Sequence, residues 1–245
     1  PVPLDWSYAF LRWFHGPARY CLVGTPHLLS LLEARGFANA ALWTKGVDTE
    51  LFHPDKRHET AFDAPVFLYV GRVAVEKNIE AFLSLDLPGT KVVVGDGPSR
   101  ADLEKRYPPA VFTGVRHGDD LARLFAGADA FVFPSRTDTF GLVLLEALAS
   151  GTPVAAFPVT GPIDVIGDAP VGVLSEDLRQ AALGALEVPR QNCRAYAERF
   201  EAFVRKVAHA EHKHTHSDTL ALDVATSLYK LMAYTDEYEV ARLHS

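Results

Sequence analysis

The sequence predicts an α/β fold, a Rossmann-like parallel sheet with helices on both faces. Between residues 66 and 174, six short apolar runs alternate with stretches of helical periodicity. The runs place four or five apolar residues in succession without polar alternation, as strands buried on both faces do. The stretches between them are long enough for right-handed helical crossovers joining parallel neighbours.

The expected strands are Val66–Val70, Lys91–Val94, Ala110–Thr113, Ala130–Pro134, Pro153–Phe157 and Val171–Leu174. Helices are expected over Lys77–Leu85, Ser99–Tyr107, Asp119–Ala128, Gly141–Ser150 and Leu178–Leu186. A shorter unit comes first: a strand at Tyr20–Gly24, a helix at Pro26–Arg35 stopped by Gly36, and a strand at Ala40–Thr44. One strand–helix–strand cannot bury its own core, so this unit reads as belonging to a larger domain. The polar stretch Pro54–Ala64 reads as a linker.

Composition narrows the function. Of 245 residues, 48% are hydrophobic and 22% charged, which excludes a disordered chain. Acidic residues outnumber basic ones by 31 to 24, a net charge of −7. That argues against sequence-independent nucleic-acid binding, which needs clustered cations. No apolar run approaches the ~20 residues that span a bilayer. Two cysteines, Cys21 and Cys193, make no disulfide framework and point to a reducing, cytoplasmic setting. The sequence opens at Pro1 without an initiator Met and is expected to be a piece of something longer.

In a parallel sheet, ligands bind beyond the carboxyl ends of the strands, so the residues directly after each strand matter most. Gly71-Arg72-Val73-Ala74-Val75-Glu76-Lys77-Asn78 follows the first of the six. An arginine fork and a lysine point charge at a helix start suit a diphosphate, although a solvated loop would look the same. Gly95-Asp96-Gly97-Pro98 reads more readily as a plain turn than as a phosphate cradle. A dinucleotide fingerprint needs a third glycine where Arg100 stands, so NAD binding is rejected.

The richest stretch is Pro134-Ser135-Arg136-Thr137-Asp138-Thr139-Phe140-Gly141-Leu142-Val143-Leu144-Leu145-Glu146. Backbone N–H groups around Gly141–Val143 would be unpaired at a helix start and would favour an anion. Glu146 interrupts an otherwise apolar helix, and a buried carboxylate without a partner is rare, so it is expected to face a ligand or polar cleft. Asp138 or Thr139 could equally cap the helix.

These residues resemble the GT-B retaining glycosyltransferases, the glycosyl transferases group 1 or glycosyltransferase family 4, over roughly residues 1–195. Gly71–Asn78 looks like their "GR…EKN" motif, and Asp138-x7-Glu146 resembles "E-x7-E", followed by Ala-Ser-Gly-Thr-Pro-Val at 149–154. Trp43–Phe52 is similar to their interdomain crossover. The resemblance implies that residues 65–195 form the nucleotide-sugar donor-binding domain and residues 1–55 a remnant of the amino-terminal acceptor domain with its crossover.

By position, the resemblance puts Gly71, Arg72 and Lys77 at the donor diphosphate, Val115 in the Gly114–Gly118 loop at the nucleobase, and Asp138 at the donor sugar. Thr139 and the backbone of Phe140, Gly141 and Leu142 would approach phosphate or sugar oxygens, and Glu146 the ribose hydroxyls. Catalysis is assigned to Arg72, Lys77 and Asp138. The two cations would stabilise the departing diphosphate electrostatically. Asp138 replaces the commoner Glu and reaches about 1.5 Å less far, which bears on the choice of sugar.

The implied reaction transfers a hexose from GDP-mannose or a UDP-hexose to a lipid or glycan acceptor, with retention. Neither cofactor nor metal is expected, and membrane association is at most peripheral, at the inner face. With most of the acceptor domain lacking, a non-catalytic nucleotide-sugar-binding fragment is the alternative, and little turnover is expected from the chain alone.

Residues 196–245 depart from that family and are expected to form a helical tail of different origin. Tyr196–Phe200 starts like its terminal "FSW" helix, but Glu201-Ala202 replaces Ser-Trp. From there the tail resembles the carboxyl-terminal end of indolepyruvate (2-oxoacid) ferredoxin oxidoreductases, most specifically at Lys230–Arg242. It has no cysteine cluster for iron–sulfur, so that activity is not carried over beyond a minor alternative. His209, His212, His214 and His216 read as an exposed polar linker rather than a metal site.

Overall fold

The computed structural model describes residues 4–24, 26–42, 46–58, 61–137 and 141–198. The chain divides into two compact units, Pro1–Phe200 and Glu201–Ser245. The second, with its histidines and the Lys230–Arg242 run, lies outside the described residues.

The first unit opens with α1 (Leu4–His15), β1 (Cys21–Val23), α2 (Pro26–Ala34) and β2 (Ala40–Leu42). β1 and β2 pair in parallel as a two-stranded sheet over a small core of Val23, Leu32 and Phe37. Tyr8 of α1 packs on that core, and Arg12 donates to the Arg35 carbonyl at 2.9 Å.

The main sheet follows: β3 (Val66–Val70), α3 (Ile79–Leu83), β4 (Thr90–Val94), α4 (Arg100–Arg106), β5 (Val111–Gly114), α5 (Gly118–Gly127), β6 (Ala130–Phe133), α6 (Leu142–Ala149), β7 (Val154–Ala156), α7 (Thr160–Val165), β8 (Gly172–Leu174), α8 (Leu178–Ala185) and α9 (Arg190–Ala197). Its strands are parallel in the order β5-β4-β3-β6-β7-β8. The chain winds outward from β3 to one edge, then returns to β6 and winds outward to the other. Neighbouring strands β3 and β6 therefore flank the point where the order reverses, the place where open parallel sheets bind ligands, beyond the carboxyl ends of their strands.

The apolar runs of β3, β4, β6 and β7 are buried on both faces, as expected, whereas the edge strands β5 and β8 are half-buried. Val66, Leu68, Val92, Val94, Phe131, Phe133, Val154 and Ala156 face one core, with α5, α6 and α9 residues. Phe67, Tyr69, Val93, Ala130, Val132 and Ala155 face the other, with α3 and α8. The period-two alternation of strand side chains assigns successive residues to opposite layers.

Three expectations change. Pro54–Ala64 is no free linker. Pro54–Lys56 forms a 3₁₀ turn, Lys56 pairs with Asp119, and Arg57 pairs with Asp129 at 2.8 Å. Phe52, just before it, meets Phe125 edge-on at 5.7 Å. An aromatic anchor and two opposite-charge pairs hold this polar stretch to the domain. Next, the helix expected over Lys77–Leu85 is split. Val75–Lys77 is a 3₁₀ turn, Asn78 takes left-handed φ 53° and ψ 33°, and α3 begins only at Ile79. A left-handed residue cannot continue a right-handed helix. Finally, α1, α7 and α9 were not expected, because aromatics surround α1, Gly161 and Pro162 sit in the first turn of α7, and α9 is mostly polar.

α9 closes the domain. Arg190 donates to the carbonyls of Ala128 at 2.6 Å and Ala126 at 2.7 Å. Arg194 Nη1 donates to the carbonyls of Thr49 at 2.9 Å and Phe52 at 3.2 Å. Among the described residues, no helix is long and apolar enough to cross a membrane.

Candidate functional site

Each expected site residue that the structure describes lies past the carboxyl end of a strand. Gly71 leaves β3 with φ +154°, and a Cβ there would stand 2.8 Å from the Tyr69 hydroxyl. That hydroxyl donates to the Arg72 carbonyl at 2.9 Å, fixing the turn. Arg72 Nη1 meets Glu76 Oε1 at 3.2 Å, with side chains 45% and 35% exposed. Such a solvated pair contributes ~1 kcal/mol at most, so an incoming anion can displace Glu76 at little cost. Lys77 is half-buried at the end of the 3₁₀ turn.

The loop after β4 supports this one. Gly71 N donates to the Val94 carbonyl at 3.0 Å, Val73 N to the Asp96 carbonyl at 2.8 Å, and Ser99 N to the Val73 carbonyl at 3.1 Å. A Cβ on Gly97 would fall 2.3 Å from the Val73 carbonyl oxygen. The glycines of Gly95-Asp96-Gly97 thus serve close backbone approach to the Arg72 loop. Val115, 53% exposed, follows β5 two strands away from β3.

Past β6, Pro134 and Ser135 are buried and Arg136 is exposed. Arg136 stacks over Phe157 at 3.7 Å and meets Glu176 at 3.0 Å, linking the loops after β6, β7 and β8. Asp138, Thr139 and Phe140 lie outside the described residues. Gly141, at φ +70°, is the N-cap of α6 and supplies no side-chain acceptor. Leu142, half-buried, is the first residue of that eight-residue helix. The helix start therefore presents backbone N–H groups and the positive end of its dipole.

Glu146 sits on α6 between the fully buried Leu145 and Ala147. Burial pushes its carboxyl up to about 7. Among the described residues no hydrogen bond or ion pair reaches its oxygens, so a hydroxyl-bearing ligand would find an unused acceptor.

The structure thus sets Gly71, Arg72 and Lys77 past β3, Gly141, Leu142 and Glu146 past its neighbour β6, and Val115 past the edge strand β5. What sequence reading missed is the tie between the chain past β3 and the chain past β6. Asn78 Nδ2 donates to the Pro134 carbonyl at 3.0 Å, and Thr137 Oγ1 approaches the Glu76 carbonyl at 3.5 Å. Asn78 stood inside a recognised motif, but its partner lies 56 residues on. Among the described residues, no group of three His, Cys, Asp or Glu is placed to hold a metal ion.

Known proteins resemble the chain in sequence and in fold. Sulfoquinovosyl transferase SQD2 of Arabidopsis thaliana is 40% identical over 176 residues, 65% of this chain and 34% of its own. A GDP-mannose-dependent alpha-mannosyltransferase of Mycobacterium tuberculosis is 36% identical over 182 residues, 71% of this chain and 48% of its own. The chain thus spans a third to a half of these relatives' length.

In fold, sucrose-phosphate synthase from Thermosynechococcus elongatus superposes with TM-score 0.70 at 22% identity, over 95% of this chain and 63% of that one. Anabaena HepE in complex with UDP and glucose gives 0.65 at 16%, over 85% and 67%. The main sheet accordingly has the GT-B-like α/β fold. Residues 184–245 match a family of unknown function, which assigns no oxidoreductase activity to the tail. Residues 64–204, more than half of the sequence, match the family described as Glycosyl transferases group 1, and the chain belongs to it.

Proposed function

We propose that this chain is the donor half of a retaining glycosyltransferase, holding a nucleoside-diphosphate hexose beyond the carboxyl ends of β3 and β6 for transfer to a lipid or glycan. The observation that carries the reading is topological: Arg72 and Lys77 follow β3 and the start of α6 follows β6, the two neighbouring strands where the order reverses. Two cations and a helix N-terminus at such a point suit a diphosphate, and Glu146 one turn further suits ribose hydroxyls. The names of the relatives favour GDP-mannose or a UDP-sugar as donor.

In this reading Arg72 and Lys77 take up the negative charge that grows on the departing diphosphate, an electrostatic role that calls for no metal. Asp138 would hold the sugar hydroxyls, Thr139 and the Phe140 backbone would line the sugar and phosphate, and Val115 the base. Residues 65–195 would form the donor domain and residues 1–55 would belong to the acceptor domain and crossover. A protein acting on a lipid would work from the cytoplasmic face, peripherally.

Calorimetric titration with GDP and UDP tests the reading. One nucleotide binds with Kd about 10–100 μM, roughly −7 to −5.5 kcal/mol, and the Arg72→Ala/Lys77→Ala double variant loses it. Absence of binding to the wild-type chain, or undiminished binding to the double variant, would sink it.

A further inference from the structure

We propose that Asn78 is a positioning residue that sets the span of the diphosphate subsite, an inference that rests on the reading above. Its amide joins the loop after β3 to the exit of β6 at ordinary hydrogen-bond distance, donating to the Pro134 carbonyl at 3.0 Å. The tie spans the point where the strand order reverses. On one side of it stand Arg72 and Lys77, and on the other the chain that runs from Pro134 into α6.

Two features show that the residue is placed for this tie. Asn78 adopts φ 53° and ψ 33°, the left-handed conformation that Asn tolerates and most side chains do not. That conformation ends the 3₁₀ turn carrying Lys77 and directs the Asn78 amide away from α3 toward β6. Its acceptor, the carbonyl of buried Pro134, is the first one past the end of β6 and so moves with the sheet. A diphosphate bound between the two sides needs its cations and its backbone N–H groups at a fixed separation. A fraction of an ångström of drift weakens both sets of contacts.

The test compares a nucleoside diphosphate with its own nucleoside: GDP with guanosine and UDP with uridine, on wild-type and Asn78→Gly chains. Glycine keeps the left-handed backbone and removes only the amide. Diphosphate affinity is expected to fall about three- to tenfold, the worth of one hydrogen bond, while nucleoside affinity changes by less than about twofold. The diphosphate-to-nucleoside ratio therefore drops.

A purely structural role would lower the melting temperature and leave that ratio unchanged, which would overturn the proposal. If Asn78→Gly does not fold, Asn78→Asp keeps the shape and the tolerance for the left-handed region but cannot donate to Pro134, and an unchanged ratio there overturns it equally. If the wild-type chain binds neither nucleotide, the functional reading falls first and this inference with it. If the wild type binds and the ratio holds in the variant, this inference alone fails.

Discussion

A Cβ on Gly95 would stand 1.9 Å from the carbonyl oxygen of Gly71, closer than any atom pair tolerates. The loops after β3 and β4 touch backbone to backbone there, with Gly95 at φ +136°. Gly95→Ala is therefore expected to destabilise the chain by on the order of 3 kcal/mol or more. The urea midpoint measures it, and a loss under ~1 kcal/mol would contradict the contact.

Glu146 predicts a pH dependence. Its ordinary pKa of 4.5 rises to about 7 in the folded state because burial disfavours the charged form. The native state thus binds the proton more tightly than the unfolded chain. Its contribution is fully present below pH 4.5 and is lost as pH rises through about 7. Glu146→Gln should melt like wild type at pH 4 and be more stable at pH 8, by on the order of 2–3 kcal/mol. The same variant should bind nucleotide less tightly. Equal melting curves at pH 8 would show that the carboxylate is already compensated.

Arg190 is charged and largely buried, and burial brings its pKa down to about 10. Its planar fork reaches Ala126, Ala128 and Thr152 together. A lysine cannot span those acceptors, so Arg190→Lys should cost about 2 kcal/mol in denaturant unfolding. A silent substitution would mean that water replaces the fork without loss.

The two thiols should react unequally. Burial pushes the Cys193 thiol up to about 12, whereas Cys21 is half-buried. A thiol reagent at pH 8 should label Cys21 in the native chain and Cys193 only after unfolding. Peptide mass analysis reads the order, and early labelling of Cys193 would show that α9 opens readily.

The strands were legible because burial on both faces writes itself as uninterrupted apolar residues. Val66–Val70 was placed to the residue and the others to within a residue or two. α7 was not legible because Gly161 and Pro162 read as a turn, although a proline in a first turn removes only an N–H that has no partner within the helix. At the site, Glu146 was legible as a carboxylate among leucines. The purpose of Gly95 and Gly97 was not, because the carbonyls they approach belong to a loop more than twenty residues earlier and become neighbours only when β3 and β4 pair. Asn78 is the same case with Pro134, and Arg194 with Thr49.

That last pair bears on how the chain is made. Thr49 leaves the ribosome 145 residues ahead of the arginine whose guanidinium holds its carbonyl. The opening of the domain must therefore wait, unsealed, until its final helix has been synthesised. Once the two meet, the strand of chain going in and the strand coming out lie side by side. Two chain segments that enter and leave the main sheet side by side are held closed by that contact, however far apart they lie in the sequence.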